Sequence, residues 1–210
     1  MEKLVRVEGI AAPLLRPNID TDLIVPSREI TSPGREGYGE KLFAPWRYLG
    51  LERRENPEFV LNREPFRRAT ILVAGENFGC GSSREMAVWA IRQFGIRVVI
   101  APSFGAIFRA NCLRNGVLPV ELPAAVVSGL ATRAEAGGLV LAVDLEACLV
   151  TEPDGTAHAF AVDGREREMM LAGLDDIALT LRRSGEIEAF EARDREARPW
   201  AWGEVPGQAR

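Results

Sequence analysis

The sequence predicts an α/β protein in which a parallel sheet with βαβ units is joined to a small antiparallel set of strands. Between residues 70 and 121, short apolar runs rich in β-branched residues alternate with stretches of helical spacing. Between residues 139 and 162, three short strand-like segments follow one another, with Pro153-Asp154-Gly155 as a hairpin turn between the last two. The composition agrees, because 210 residues with 47% hydrophobic and 27% charged side chains are average values that exclude collagen, coiled coil and wholesale disorder.

The N-terminal third is predicted to hold few regular elements. Residues 4–15 alternate loosely and predict one or two strands broken at Gly9 and Pro13. A polar turn at residues 18–22 precedes a further strand. From residue 27 to 68, several prolines and glycines and scattered aromatics predict a long ordered excursion with short helical turns, and loops of this length are commonly functional.

The regular part of the chain predicts strand, helix, strand, helix, strand at residues 70–74, 82–94, 97–101, 103–114 and 117–122. A helix over 123–135 follows, with proline at its start and glycines past its end. The antiparallel strands are predicted at 139–143, 147–151 and 157–162, and a helix at 174–190. We expect one domain over residues 1–190 and a charged C-terminal extension over 191–210.

The rare residues limit the chemistry of the chain. Its three cysteines (Cys80, Cys112 and Cys148) form no C-x-x-C pair, and one histidine is too few to complete a zinc or iron-sulfur site on this chain alone. If a metal takes part, most of its ligands therefore come from elsewhere. The one histidine, His158, is predicted on a strand with no neighbouring motif, which favours a structural or surface role.

Charge and cysteine usage suggest compartment and partners. The net charge is −4 and the basic residues are spread along the chain, so nucleic acid is not expected as a partner. No apolar stretch approaches the length of a membrane span, so we expect no membrane contact. An odd cysteine count without an apolar signal sequence favours a reducing cytoplasm.

The segment richest in chemistry joins the first strand and helix of the βαβ region: Gly75-Glu76-Asn77-Phe78-Gly79-Cys80-Gly81-Ser82-Ser83-Arg84-Glu85. Its glycines allow the backbone to approach a ligand, Ser82 or Ser83 is predicted as the helix N-cap, and Glu85 as the capping-box acid. Free amides at the helix N-terminus, together with Arg84, favour a carboxylate or phosphate. The spacing excludes dinucleotide and nucleoside-triphosphate loops. A well-capped helix after a tight turn explains the same residues equally well.

Other polar residues carry weaker predictions. Asp20 and Asp22 would point to opposite faces of an extended segment, so a turn cap is favoured over a shared metal site. Asn111 and Arg114 fit helix capping or the surface. Cys80 could be a reactive thiol, because a helix N-terminus lowers the pKa of a thiol.

Several segments, in this order, resemble the small-subunit family of bacterial 3-isopropylmalate dehydratases, in the aconitase superfamily. They are Asn18-Ile19-Asp20-Thr21-Asp22, Gly37-Tyr38-Gly39, Glu76 to Glu85 as quoted above, Val99-Ile100-Ala101-Pro102-Ser103-Phe104, Leu118-Pro119-Val120 and Gly173-Leu174-Asp175-Asp176-Ile177. The resemblance implies a swivelling β/β/α domain that closes over an active site built mainly by a large subunit. It implies a hydro-lyase that isomerises 2-isopropylmalate to 3-isopropylmalate by dehydration and rehydration in leucine biosynthesis. The implied cofactor is a [4Fe-4S] cluster carried by that large partner and not by this chain.

The resemblance also implies roles for individual residues. Ser82 matches the residue that acts as the base next to a substrate carboxylate, with positive potential from the helix N-terminus. The implied substrate-binding residues are Ser83, Arg84, Arg35, Thr21 and Asp22. Of these, Arg84 would clamp one carboxylate of the dicarboxylate substrate and Arg35 the second. The excursion at residues 27–45 would accommodate the isopropyl group.

One residue departs from the family pattern. After Arg84-Glu85 the family usually continues with histidine, whereas this chain has Met86, most simply a packing residue. The change leaves Ser82 and Arg84 in place. It keeps open a paralogous small subunit acting on another alkylmalate or on citramalate/citraconate. Two functions of a different class also stay open: a non-catalytic dicarboxylate-binding module and an enzyme that uses Cys80.

Overall fold

The computed structural model describes residues 1–31 and 34–203. Its strands, in chain order, are β1 Arg6–Leu14, β2 Tyr48–Leu49, β3 Arg54–Glu55, β4 Ile71–Ala74, β5 Val98–Ala101, β6 Leu118–Glu121, β7 Leu139–Asp144, β8 Leu149–Thr151 and β9 Ala157–Ala159. Its α-helices are α1 Thr21–Ile24, α2 Ala44–Arg47, α3 Glu85–Phe94, α4 Ala106–Arg114, α5 Ala124–Gly137, α6 Gly164–Ala172, α7 Asp176–Leu181 and α8 Ser184–Ala197. Short 3₁₀ turns cover Ser27–Glu29, Gly39–Lys41, Val60–Asn62, Phe66–Arg68 and Pro199–Trp202.

The main sheet has seven strands in the order β6-β5-β4-β1-β7-β8-β9. Strands β6, β5, β4 and β1 are parallel, whereas β1, β7, β8 and β9 are antiparallel neighbours. Strand β1 joins the two halves, since Ala11 pairs with Ile71 on one side and with Leu139 on the other. The predicted α/β class, with βαβ units and a small antiparallel set, is confirmed.

Alternate residues of the parallel strands supply two cores, one on each face of the sheet. Leu72 and Val99 belong to the core covered by α3, α4 and the long excursion. Ile71 and Val98 belong to the core covered by α5 and α6. Every residue of β4 and β5 is buried, because helices or loops cover both faces of this sheet. The excursion holds 3₁₀ turns, α2 and the β2-β3 hairpin, as predicted for its described residues.

The structure corrects four sequence predictions about the elements. Strand β1 is unbroken. Position 9 requires glycine, because a Cβ there would lie 2.2 Å from Oγ1 of Thr70. Pro13 lies past the last pair with β7, so the side of the strand that faces β7 is open there. The predicted strand after residue 22 is instead the short helix α1. Helix α6 was not predicted, and the helix predicted over 174–190 is two helices that meet at Arg182 and Arg183.

The chain divides into two compact units, Met1–Gly173 and the segment from Leu174 onward. The first holds the sheet and both cores, and the second holds α7, α8 and the last 3₁₀ turn. A domain boundary at residue 190 stays a prediction, and the predicted extension beyond residue 203 lies outside the described residues. No helix in the described ranges is long and apolar enough to cross a membrane.

Candidate functional site

The loop between β4 and α3 is held by backbone hydrogen bonds to two other segments. Toward the N-terminal segment, the amide of Gly79 donates to the carbonyl of Ile19 at 2.7 Å, and the amide of Thr21 donates to the carbonyl of Cys80 at 3.0 Å. Toward the loop after β5, the amide of Phe78 donates to the carbonyl of Ser103 at 3.1 Å. Three chain segments therefore meet at the carboxyl ends of parallel strands, where α/β sheets commonly bind ligands.

Gly79 is required at the centre of this loop. Its φ of +73° lies in the left-handed region, and a Cβ there would lie 2.1 Å from Cγ of Phe108. The ring of Phe108 packs edge-on against Phe78 with 5.4 Å between centroids. The glycine thus lets the loop lie directly on the aromatic side chains of the core.

Ser82 lies near the end of this loop with its hydroxyl beside Thr21. The Oγ atoms of the two residues are 2.9 Å apart, and the Thr21 hydroxyl is also 3.3 Å from the carbonyl oxygen of Ser82. Thr21 is buried, whereas Ser82 is exposed. The buried hydroxyl of Thr21 therefore faces the hydroxyl of Ser82, which solvent or a ligand can reach.

The two aspartates that flank Thr21 have separate partners. The side chain of Asp20 caps α1 by accepting from the amide of Leu23 at 2.7 Å, which confirms the turn-cap interpretation. Asp22 forms an ion pair with the guanidinium of Arg84. In the described residues, no three His, Cys, Asp or Glu side chains are grouped in a way that could hold a metal ion. The aspartates therefore position other groups of the site.

The predicted N-cap at Ser82 or Ser83 is wrong. Helix α3 begins at Glu85, Arg84 occupies the cap position, and no side chain caps it. Because the Ser82 hydroxyl is engaged with Thr21, it does not bond to the first helical amides. Glu85 also does not close a capping box, since its carboxylate accepts a hydrogen bond from the side-chain amide of Asn115 at 2.8 Å. The first amides of α3 therefore have no side-chain cap.

Three asparagines support the site and were not predicted to do so. The side-chain amide of Asn77 donates to the side chain of Asn18 at 2.8 Å, which joins the loop to the N-terminal segment. Asn111 is buried on α4 and donates to the carbonyl of Ser83 at 3.4 Å, so its assignment to a cap or the surface is wrong. Arg114, by contrast, is exposed. An asparagine within an otherwise apolar helical face is the signal that could have revealed Asn111.

Arg35 belongs to the long excursion and lies against α3. Its guanidinium stacks over Trp89 at 5.1 Å from the ring centroid, and its carbonyl accepts from the side chain of Gln93. These residues line a cleft of about 320 Å³ together with Glu36, Arg92 and Asn115. The structure therefore brings together Thr21, Asp22, Ser82 and Arg84, with Ser83 exposed beside them. It places Arg35 farther along α3, at Trp89 and Gln93.

The single histidine has a structural partner. His158 Nε2 lies 2.8 Å from Oε1 of Glu152, a buried carboxylate that also receives two hydrogen bonds from Arg133 at 2.6 and 2.8 Å. This cluster joins α5 to the antiparallel strands. The structural role expected for His158 fits these contacts.

The three cysteines lie on different elements and differ in accessibility. Cys80 is half-buried in the loop, Cys148 is half-buried before β8, and Cys112 is fully buried in α4. Burial raises the pKa of the Cys112 thiol well above its usual value. The three thiols do not form a ligand set for an iron-sulfur cluster.

We expect a thiol titration of the folded chain to separate Cys112 from the other two cysteines. The thiolate is the reactive form, and burial both raises the pKa of Cys112 and blocks the reagent, so Cys80 and Cys148 should react at least about tenfold faster. Mass spectrometry after a limited pulse of iodoacetamide identifies the modified residues. In denaturant all three should react alike, and labelling of Cys112 in the native chain at the same rate as Cys80 would contradict the structure.

Family comparisons agree with this fold. A model described as the Aconitase C-terminal domain matches residues 1–125, and one described as the C-terminal domain of the 3-isopropylmalate dehydratase small subunit matches residues 176–203. A third, described as LeuD_N, matches residues 129–164. The fold and the serine-arginine loop thus define a domain of the aconitase class.

Individual relatives identify the family within this class. A 3-isopropylmalate dehydratase small subunit from Cupriavidus necator is 52% identical over 203 residues, covering 95% of this chain and 98% of that protein. One from Rhodospirillum centenum is 50% identical, covering 97% of this chain and 100% of that protein. The crystal structure of 3-isopropylmalate dehydratase from Methanocaldococcus jannaschii is 26% identical with a TM-score of 0.63, covering 88% of this chain and 99% of that one. The chain belongs to the family of 3-isopropylmalate dehydratase small subunits.

Proposed function

We propose that this chain is the base-bearing half of a two-subunit hydro-lyase that converts 2-isopropylmalate to 3-isopropylmalate in leucine biosynthesis. The observation that carries the proposal is the exposed Ser82 hydroxyl, 2.9 Å from the buried hydroxyl of Thr21 and two residues from Arg84. The family membership supports the reaction class. The remaining walls of the site belong to a large aconitase-like subunit.

Ser82 takes the proton from the carbon next to a substrate carboxylate. While Ser82 is neutral, its O–H can donate to Thr21, and Thr21 can donate to the Ser82 carbonyl. Ser82 acts as the base in its ionised form, in which the Thr21 O–H turns to the Ser82 oxygen and donates to it. The proton taken from the substrate carbon makes Ser82 neutral, and its return to the neighbouring carbon on rehydration restores the ionised form. The uncapped amides of α3 and the charge of Arg84 add positive potential, so the ionised serine is stabilised without rearrangement of the backbone.

Arg84 binds a substrate carboxylate, with the backbone amide of Ser83 beside it. A guanidinium has five N–H donors, so Arg84 can keep its ion pair with Asp22 and still present a fork to the substrate. Asp22 and Thr21 thereby line the site by fixing Arg84 and Ser82. Arg35 binds the second carboxylate, and its loop, residues 27–45, accommodates the alkyl group.

The [4Fe-4S] cluster resides on the large subunit in this proposal. The cysteines of this chain do not fit as its ligands, because Cys112 is enclosed in the core and the other two lie on separate elements. When bound, the cluster supplies a Lewis acid for the substrate hydroxyl. The contribution of this chain is the base and the carboxylate clamp.

Reconstitution with the large subunit encoded in the same genome tests the proposal. We expect turnover of 2-isopropylmalate, with a kcat/KM at least about 100-fold above that for citramalate, because each missing methylene in an apolar pocket costs roughly 10-fold or more. The initial rate at which the absorbance of the unsaturated intermediate rises, measured over a range of substrate concentrations, gives kcat/KM for each substrate. Preference for citramalate would identify a paralogue that Met86 has helped to retune. Dicarboxylate binding without turnover would identify a binding module.

A further inference from the structure

The C-terminal unit, residues 174–203, contains apolar side chains but no core. None of these residues is buried. Ile177 and Leu181 on α7, Phe190 on α8 and Trp200 on the last turn are each between 54% and 71% exposed. Grouped exposed apolar side chains of this size can mark a surface that another molecule covers.

Local polar contacts hold the unit together. Asp194 accepts hydrogen bonds from Arg198 at 2.7 Å and from the indole of Trp202 at 3.0 Å, and Arg195 stacks on the same indole. The side chain of Asp175 caps α7 through the amide of Ala178 at 2.7 Å. Helices of six and fourteen residues are marginal in water without tertiary packing, so these contacts order the unit without stabilising it fully.

The family matches indicate what covers the surface. The model for residues 1–125 is named for the C-terminal domain of aconitase, so this domain also occurs at the end of a longer chain. The model for residues 176–203 is named for the small subunit alone. A domain within one chain has a high effective concentration at its site, and a separate subunit lacks this contribution and needs additional contact area. Residues 129–164 also match a model named for LeuD, but the larger group of exposed apolar side chains lies in the C-terminal unit, which is therefore the better source of that contact area.

We propose that the C-terminal unit is the docking element for the large subunit, with Ile177, Leu181, Phe190 and Trp200 as its apolar contacts. The inference rests on the proposed two-subunit enzyme. The unit contributes affinity, whereas Ser82 and Arg84 of the first unit contribute chemistry. Its apolar residues therefore affect how much complex forms and leave the turnover of the formed complex unchanged.

The test replaces the four residues together in the full chain: Ile177→Gln, Leu181→Gln, Phe190→Gln and Trp200→Gln. The control, Glu188→Gln with Glu191→Gln, introduces the same residue at two exposed polar positions of α8. Calorimetry with the purified large subunit should show that Kd rises at least about tenfold in the fourfold variant, because large apolar contacts dominate interface affinity, and changes less than about twofold in the control. Turnover of the fourfold variant should recover at saturating large subunit.

Hydrogen exchange of the unmodified chain provides a second readout that depends on no variant. Residues 176–202 should become protected when the large subunit binds. An unchanged Kd in the fourfold variant, or no added protection, would overturn the proposal. Loss of self-association or of thermal stability with unchanged Kd would also overturn it and assign the surface to a second copy or to this chain itself. Both measurements are independent of turnover, so failure of the proposed reaction is detected separately.

Discussion

Replacing Ser82 with alanine is expected to lower the kcat of the reconstituted enzyme by roughly 10²–10⁴-fold, the usual contribution of a positioned general base. The substitution removes the hydroxyl that faces Thr21 at 2.9 Å and leaves the loop intact, because backbone hydrogen bonds hold that loop. The Kd for the large subunit should therefore stay the same. Steady-state kinetics with 2-isopropylmalate, together with co-purification of the two subunits, provide the measurement.

Ser83→Ala is the matched comparison, since it makes the same change one residue later. It keeps the backbone amide assigned to the carboxylate and removes a hydroxyl that is exposed. Its effect on kcat should be less than about tenfold, well below that of a general base. A Ser82→Ala enzyme with kcat within tenfold of the unmodified protein would remove Ser82 from the role of base.

Arg84→Lys is expected to lower kcat/KM by roughly 100-fold. Lysine keeps the positive charge but loses the planar fork that can bind Asp22 and a substrate carboxylate together, and a hydrogen bond to a charged group is worth about 1.5–3 kcal/mol. We expect the loss to be divided between a higher KM and a lower kcat, because Arg84 both binds substrate and stabilises ionised Ser82. Initial rates over a range of substrate concentrations separate the two effects.

The role of Asp22 is tested against this variant in a double-mutant cycle. Asp22→Asn alone should reduce kcat/KM less than Arg84→Lys does, since the guanidinium remains available to the substrate. The double variant should lose less than the product of the two single effects, because both changes break the same ion pair. Fully multiplicative losses would show that Asp22 does not position Arg84.

The parallel part of the fold could be predicted because its signals are local. Apolar runs at 70–74 and 97–101 match β4 and β5, and glycines mark the ends of α3 and α5. The antiparallel strands followed from alternation and a strong turn sequence. In these regions burial, propensity and turn chemistry all favour the same structure.

The parts that could not be predicted depend on long-range contacts. Strand β1 is continuous through Gly9 because Gly9 pairs with Leu141 of β7, and Thr70 occupies the space that a side chain at position 9 would need. Helix α3 begins later than capping chemistry predicts, because Ser82 bonds to Thr21, a residue 61 positions earlier. The position of Arg35 over Trp89 is likewise set by packing of a loop on α3. Sequence patterns identified the residue types of the site but not which of them meet.

The way in which the serine-bearing loop is held has a consequence for evolutionary change. Its position depends on main-chain hydrogen bonds from Phe78, Gly79 and Cys80 to two neighbouring segments, with side-chain support from Asn77 and Asn111. None of these bonds involves residues 27–45 or Met86, so under the proposed function we expect substitutions there to alter the shape of the substrate pocket without moving the base. A scaffold of this kind allows new substrates to be acquired through single substitutions while the proton-transfer chemistry is retained.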